Sequence, residues 1–234
     1  MCGRFVRKRS STLLAREFGA DHISDELQPS FNIAPTHNVA VVMNDGVNDG
    51  ARKLVSMRWG LIPSWATDPT IGSSLINARA ETLTQKAAFK NAFAKRRCLV
   101  IADGFYEWEK RAGAKTPMLI HLKSGRSFGF AGLYETWRPP LGEALTTCTI
   151  ITTEPNELVR PIHDRMPVIL PKAVEDLWLD PAVEDHHRLL DLLRPYPTEE
   201  MDAYAVSSVV NSVKNDSPAC IERPSPAAQQ QLLF

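Results

Sequence analysis

The chain has 234 residues, 44% of them hydrophobic, with 27 lysines and arginines against 27 aspartates and glutamates. That length and apolar content support one large core. A formal net charge of +0 excludes a chain-wide field for nucleic acid, so any polyanion would have to be met by a local patch.

The four cysteines, Cys2, Cys98, Cys148 and Cys220, stand far apart, with no CxxC pair and no histidine at ligand spacing. This argues against a structural zinc site and for reduced thiols in a cytosol. No apolar stretch approaches the roughly 20 residues of a membrane span, and the first residues do not read as a signal peptide. A soluble, cytoplasmic protein is expected.

After a short strand at the start, SSTLLAREFGA places Leu14 and Phe18 four apart behind hydroxyl caps, with Gly19 as a stop, which predicts a helix. FNIAP leads into the buried-strand pattern NVAVVM, and GVNDG is turn chemistry before a second strand in RKLVSMRWGLIP. SWATDPTIGSS has Pro, Gly, Ser and Asp without periodicity and reads as a long exposed loop, the kind that tends to carry function. QKAAFKNAFAKRR has Phe89 and Phe93 at helical spacing and ends in Lys95, Arg96 and Arg97. CLVIADGFYEWEK, TPMLIHL, RSFGFAGLYETW and TTCTIITT read as an antiparallel meander. AVEDLWL and EDHHRLLDLLRPY are helical, AYAVSSVV is a late strand, and the prolines and AAQQQLLF beyond it suggest a flexible tail. The expected fold class is α+β: a mostly antiparallel, barrel-like sheet with peripheral helices.

Directly behind Met1 stands Cys2. Removal of Met1 would leave an α-amine and a thiol on adjacent carbons. With ordinary pKa values of about 7.7 to 8.0 and about 8.5, a useful fraction of each is nucleophilic at neutral pH. Such a 1,2-aminothiol captures an aldehyde, as an imine that the thiolate closes to a thiazolidine. The letters MCGRF alone favour a small buried cysteine at a sheet edge, because buried cysteine is common.

Three further stretches interrupt apolar surroundings with polar groups. In SLINARAET, Asn77 and Arg79 alternate, so an extended segment points both to one face, where they could grip a phosphate or base edge; an ordinary turn with a surface arginine fits as well. In IADGFYEWEK, Phe105, Glu107 and Glu109 share one face, with Tyr106 and Trp108 on the other. Partial burial of Glu107 would raise its pKa toward the acid–base range; a solvated strand-edge glutamate is the other reading. In VRPIHDRMPVIL, His163 sits in a charged turn between Pro161 and Pro167, beside Asp164 and Arg165. Asp164 could fix its tautomer and Arg165 could offer a cation to an anion, although a lone histidine is more often structural.

Local basic supply exists in Arg4, Arg7, Lys8 and Arg9 and in the 95–97 run, either as phosphate contacts or as solvated surface. Trp65 and Phe89 are the aromatics that could stack on or wedge between bases, and core packing explains Phe89 equally well.

Taken together, MCGRF, NIAP, WGLIPSW, INARAET, ADGFYEW, HDRMPVIL and SVKND resemble the SOS-response-associated peptidase (SRAP) family of abasic-site processing proteins. The resemblance implies a single domain over residues 2–216, with 217–234 as the flexible tail. It implies binding of single-stranded DNA containing an abasic site and a covalent crosslink to it. Cys2 would be the nucleophile after Met1 removal, by the protein's own peptidase activity or an aminopeptidase. Asn77 would position the amine or lesion phosphate, Glu107 would act as acid and base, and His163 would assist ring opening and crosslink reversal. Arg4, Arg79 and Arg165 would contact the backbone, with Trp65 near the family's wedging aromatics. Weak lyase activity by β-elimination is also implied. No metal or cofactor is expected, and a monomer is. Outside the resemblance, an N-terminal-nucleophile amidohydrolase with no DNA role and a non-catalytic single-strand binding module remain the alternatives.

Overall fold

The computed structural model of the protein describes residues 2–44, 46, 50–111 and 114–224. Strand β1 (Phe5–Arg7) leads into helix α1 (Ser11–Phe18), which Ser10 caps by accepting from the Leu13 N–H. Gly19 closes the helix at φ 62°, in the left-handed region that favours glycine. Strands β2 (Ala20–Ile23), β3 (Ser30–Ile33), β4 (Asn38–Met43) and β5 (Arg52–Trp59) follow. Residues 47–49 of the expected GVNDG turn lie outside the described residues.

Between β5 and β6 (Asn77–Arg79), the expected irregular loop contains a 3-10 helix, Pro69–Ser74. Asp68 caps it by accepting from the Thr70 N–H at 2.8 Å, and Pro69 supplies a preset φ. A helix this short has no amphipathic period to read in the sequence. Its position is set by a backbone approach: a Cβ on Gly60, at φ 122°, would stand 2.7 Å from the Gly72 carbonyl oxygen.

Helix α2 (Ala87–Lys95) buries Phe89 and Phe93 completely, each contributing about 1.5 to 3 kcal/mol of apolar burial. Beyond it run β7 (Arg97–Ala102), β8 (Gly104–Arg111), β9 (Ala114–Leu122), β10 (Phe128–Trp137) and β11 (Leu145–Thr153). These do not form one meander. β7, β10 and β11 are neighbours in the larger sheet, whereas the β8–β9 hairpin belongs to a second sheet of order β14-β9-β8-β1-β3, where β14 is Met201–Ala205. The chain leaves the larger sheet at Asp103 and returns at Ser127, and those two points are tied together: the Ser127 hydroxyl donates to Asp103 at 2.7 Å. A hydrogen bond spanning 24 residues is not legible from strand periodicity.

The larger sheet closes on itself. β5, β4, β7, β10 and β11 pair in turn, and β11 returns to β5 in parallel through Thr147↔Arg58 and Cys148↔Trp59. Short β12 (Met166–Pro167) and β13 (Ile169–Leu170) add to β11 and β10, and helices α3 (Glu175–Leu179) and α4 (His186–Leu190) are peripheral. The result is an α+β fold around a barrel-like sheet. One core packs α1, α2 and α3 on the barrel, and a second joins Cys2, Phe5, Trp59, Phe105 and Phe130 between the two sheets.

Just before and within the segment expected to be a flexible tail from residue 217, some contacts with the body of the fold are made. Asp216 accepts from the Ser30 hydroxyl at 2.9 Å and from the Phe31 N–H, and the 3-10 turn Pro218–Ile221 buries Cys220. Residues 225–234 lie outside the described residues. No helix among the described residues is long and apolar enough to cross a membrane.

Candidate active site

Cys2 is fully buried in the core between the sheets, immediately before β1. It is both a buried core residue, though not at a sheet edge, since β1 lies between β8 and β3, and part of a polar constellation. Short strand β6 runs parallel to β11, with Asn77 opposite Ile150 and Arg79 opposite Thr152. Alternation turns Ala78 inward and leaves Asn77 and Arg79 on the other side. The Asn77 amide donates to the Cys2 carbonyl at 2.8 Å, while its Oδ1 is buried with no donor among the described residues. Arg79 is exposed.

Glu107 lies on β8, two residues beyond the core residue Phe105, and is 4% exposed. Burial pushes its carboxyl up to about 7, with the Asp164 charge adding to the rise. Its Oε2 stands 3.9 Å from His163 Nε2, a separation that one water or a small movement bridges. Burial also pushes the Cys2 thiol well above its ordinary value, and the Glu107 charge adds to that effect. The resting thiol is therefore protonated, and Glu107 is close enough for its charge to bear on it.

His163 is held at Nδ1 in two ways. The Arg165 backbone N–H donates to Nδ1 at 3.1 Å, which fixes the neutral ring as the Nε2–H tautomer, facing Glu107. The exposed Asp164 carboxylate stands 2.8 Å from the same nitrogen and suits the protonated ring. Burial lowers the imidazole pKa below its ordinary value, so the neutral form prevails at neutral pH. Each protonation state has a partner in place.

The Arg165 side chain faces elsewhere. It makes a two-pronged pair with Glu81 at 2.7 and 3.0 Å and donates to the Thr152 carbonyl at 2.6 Å. That hydrogen bonding holds the Glu81 carboxyl below its ordinary range. Glu81 thus ties the turn after β6, which carries Asn77 and Arg79, to the His163 turn. Arg4 donates to Asn32 at 2.7 Å and to the Val210 carbonyl at 3.0 Å, with its guanidinium 5.7 Å above the Trp108 ring. Trp65 projects from its loop, 59% exposed, whereas Phe89 is a core residue with no face for a base.

Several cations that the sequence offered as surface charge are internal. Arg7 is 2% exposed and donates to the carbonyls of Arg9, Leu27 and Gln28. Arg97, equally buried, donates to carbonyls of Phe93 and Ala94 at the end of α2 and of Trp178 in α3. Arg9 pairs with Asp103 and Arg96 with Glu135. The structure also adds residues that the motifs did not single out. A cavity of about 450 Å³ is lined by Glu107 and His163 together with Trp108, Lys110, Lys115 and Asn211. Lys115 reaches it only through the hairpin register that sets it opposite Lys110. Among the described residues no group of three or more His, Cys, Asp or Glu side chains could hold a metal ion.

Cys2, Asn77, Glu107 and His163, which are far apart in sequence, therefore converge: a thiol beside an amide, a carboxyl that exchanges its proton near neutrality, and a neutral imidazole. A family model described as SOS response associated peptidase matches residues 1–213. A Bacillus subtilis protein named abasic site processing protein YoqW is 50% identical over 226 residues, covering 95% of this chain and 99% of that protein. The Xenopus tropicalis abasic site processing protein HMCES is 36% identical over 230 residues, covering 86% of this chain and 68% of its own. A crystal structure of a Bacteroides thetaiotaomicron protein matches the fold with a TM-score of 0.85 at 28% identity, covering 95% of this chain and 100% of that one.

Proposed function

The chain belongs to the SOS response associated peptidase family, and from that premise we propose that it processes abasic sites in single-stranded DNA by covalent capture on Cys2. The observation that carries the reading is the burial of the Cys2 thiol in one site with Asn77, Glu107 and His163. An abasic sugar in its ring-opened form presents a C1′ aldehyde, the electrophile suited to a 1,2-aminothiol.

Met1 must first be removed, by this chain's own peptidase activity or by an aminopeptidase. Asn77 then holds the Cys2 carbonyl, and its free Oδ1 is the acceptor for the liberated α-ammonium. The deprotonated amine attacks C1′. Glu107, with its pKa near 7, protonates the departing hydroxyl, so that water leaves and an iminium forms. The thiol passes its proton to the resulting Glu107 carboxylate, and sulfur closes on C1′ to give a thiazolidine. The balance is protein plus oligonucleotide minus one water. His163, neutral with its proton on Nε2, supports opening of the sugar ring and, in reverse, release of the adduct. Abstraction of a C2′ proton from the iminium before closure would instead give β-elimination, the weak lyase outcome. Arg79, Arg4, Arg165 and Trp65 are assigned to the strand around the lesion; for Arg165 a phosphate must share or displace Glu81.

Intact mass before and after incubation with a single-stranded oligonucleotide bearing one abasic site tests the reading, with no reductant present. The expected result is a Met1-free chain and an adduct short of the sum by one water, absent in Cys2→Ala. A processed chain with free Cys2 that forms no adduct would reject capture and favour an N-terminal-nucleophile amidohydrolase.

A further inference from the structure

Several of the chain's arginines are already held within it. Arg9, Arg96 and Arg165 pair with carboxylates, while Arg7 and Arg97 are buried on backbone carbonyls. With a formal net charge of +0, an anion has to be met locally, by cations that are not already paired.

Lys110 and Lys115 are such a pair. They stand directly opposite each other across the β8–β9 hairpin, both exposed, and both line the cavity that holds Glu107 and His163. Among the described residues neither side chain has an ion-pair partner. Like charges directly opposite in an antiparallel pair are destabilising. The arrangement thus weakens the hairpin unless an anion lies between the two ammonium groups.

The surroundings say which anion. Trp108 lies two residues before Lys110 on the same face, is half-buried, and is fixed by donating from Nε1 to Asn211 at 2.8 Å. Two point charges opening from a catalytic constellation suit a nucleic-acid strand: the ammonium groups meet a phosphate without reading sequence, beside a tryptophan that already carries the Arg4 guanidinium over its ring. Lysine, unlike arginine, offers no planar fork, so the contact tolerates a phosphodiester in varied orientations.

We propose that Lys110 and Lys115 form a phosphate subsite for the DNA strand leaving the lesion on the hairpin side of the cavity. This rests on the proposed function in placing the lesion at Cys2. It extends that reading by giving the strand a path: Arg79 and Arg165 on the β6 and His163 side, and the lysine pair on the other.

The test is equilibrium binding of the full-length protein to single-stranded oligonucleotides between 50 and 200 mM salt, with and without an abasic site; these concentrations are on the order of the range over which phosphate contacts are titrated. Losing one phosphate contact in the double variant Lys110→Gln/Lys115→Gln should lower the slope of log K against log salt by about 0.7 on both DNAs. The double variant with arginine at both positions should keep the wild-type slope. Oligonucleotides truncated on one side of the lesion should bind both proteins alike, and those truncated on the other should preserve the difference. Unchanged slope and affinity in the glutamine variant would overturn the subsite. A reduced slope in that variant, combined with a wild-type chain that forms no adduct, would leave the subsite standing and reject covalent capture. Removing two like charges that face each other relieves a repulsion, and a melting temperature that holds or rises confirms that the variant is intact.

Discussion

Two buried carboxylates lie four residues apart where the chain crosses from the barrel into the second sheet, and burial acts on them differently. Asp103, 6% exposed, receives the Arg9 guanidinium, the Ser127 hydroxyl and the Lys8 N–H. Glu107, 4% exposed, faces a neutral imidazole at 3.9 Å and the Cys2 thiol, and burial raises its pKa to about 7. Equal burial therefore gives two outcomes. Asp103, held by a cation and two further donors, is a joint between the sheets, and Glu107, where desolvation outweighs the contacts that oppose it, exchanges a proton near neutral pH.

Exchanging the acids for amides should separate these roles. Glu107→Gln is expected to slow adduct formation about 10²- to 10³-fold while the melting temperature holds or rises, read by quenched gel assay and calorimetry. Asp103→Asn should do the reverse, removing about 2 kcal/mol of stability in urea melts while the folded fraction still forms adduct. Equal loss of rate in both variants would erase the distinction.

The pH dependence of stability sharpens it. With its pKa raised from the ordinary 4.5 to about 7, Glu107 keeps a proton in the folded chain that the unfolded chain has lost. Stability from this group is present at low pH and declines as pH rises through that window. His163 has the opposite sign: its pKa is lowered, so the unfolded chain takes up the proton first, and stability is lost as pH falls below the ordinary 6.5 through the folded value. Removing the carboxyl isolates its part. Glu107→Gln should gain on the wild type by about 2 to 3 kcal/mol between pH 5 and pH 8 in denaturant melts, and a constant difference would contradict the raised pKa.

Smaller effects belong to the supporting contacts. Glu81→Gln weakens the tie between the Asn77 and His163 turns and should slow adduct formation about tenfold with little change in melting temperature. Trp65→Ala, at an exposed position, should leave stability unchanged and weaken single-strand binding by about 1 kcal/mol, measured by fluorescence anisotropy. Loss of stability there would make Trp65 a packing residue.

What the sequence allowed to be read follows the range of the interactions. Alternation placed Glu107 and Phe105 on one face of β8, and the caps of α1 were local enough to see. Cys2 stands out by its place behind Met1, and Asn77, Glu107 and His163 because each interrupts an apolar or turn pattern, and the fold brings the four together. The excursion of β8 and β9 into a second sheet was hidden, since it depends on Asp103 meeting Ser127 and on strand partners distant in sequence. The same limit applies to charge. Arg97 looked like a surface cation in a basic run, yet carbonyls from α2 and α3 converge on it, and Arg165 meets Glu81 from 84 residues away. Lys115 entered the site only through its register with Lys110.

The most direct measurement is the single-turnover rate of adduct formation against pH, for the Met1-free wild type and Glu107→Gln on the same abasic oligonucleotide. The wild-type rate should bend near pH 7, and the variant should be at least about a hundredfold slower with that bend gone. A Glu107→Gln protein that forms the Cys2 adduct at the wild-type rate, with the same pH profile, would contradict the role given to this carboxyl and with it the chemistry proposed for the site.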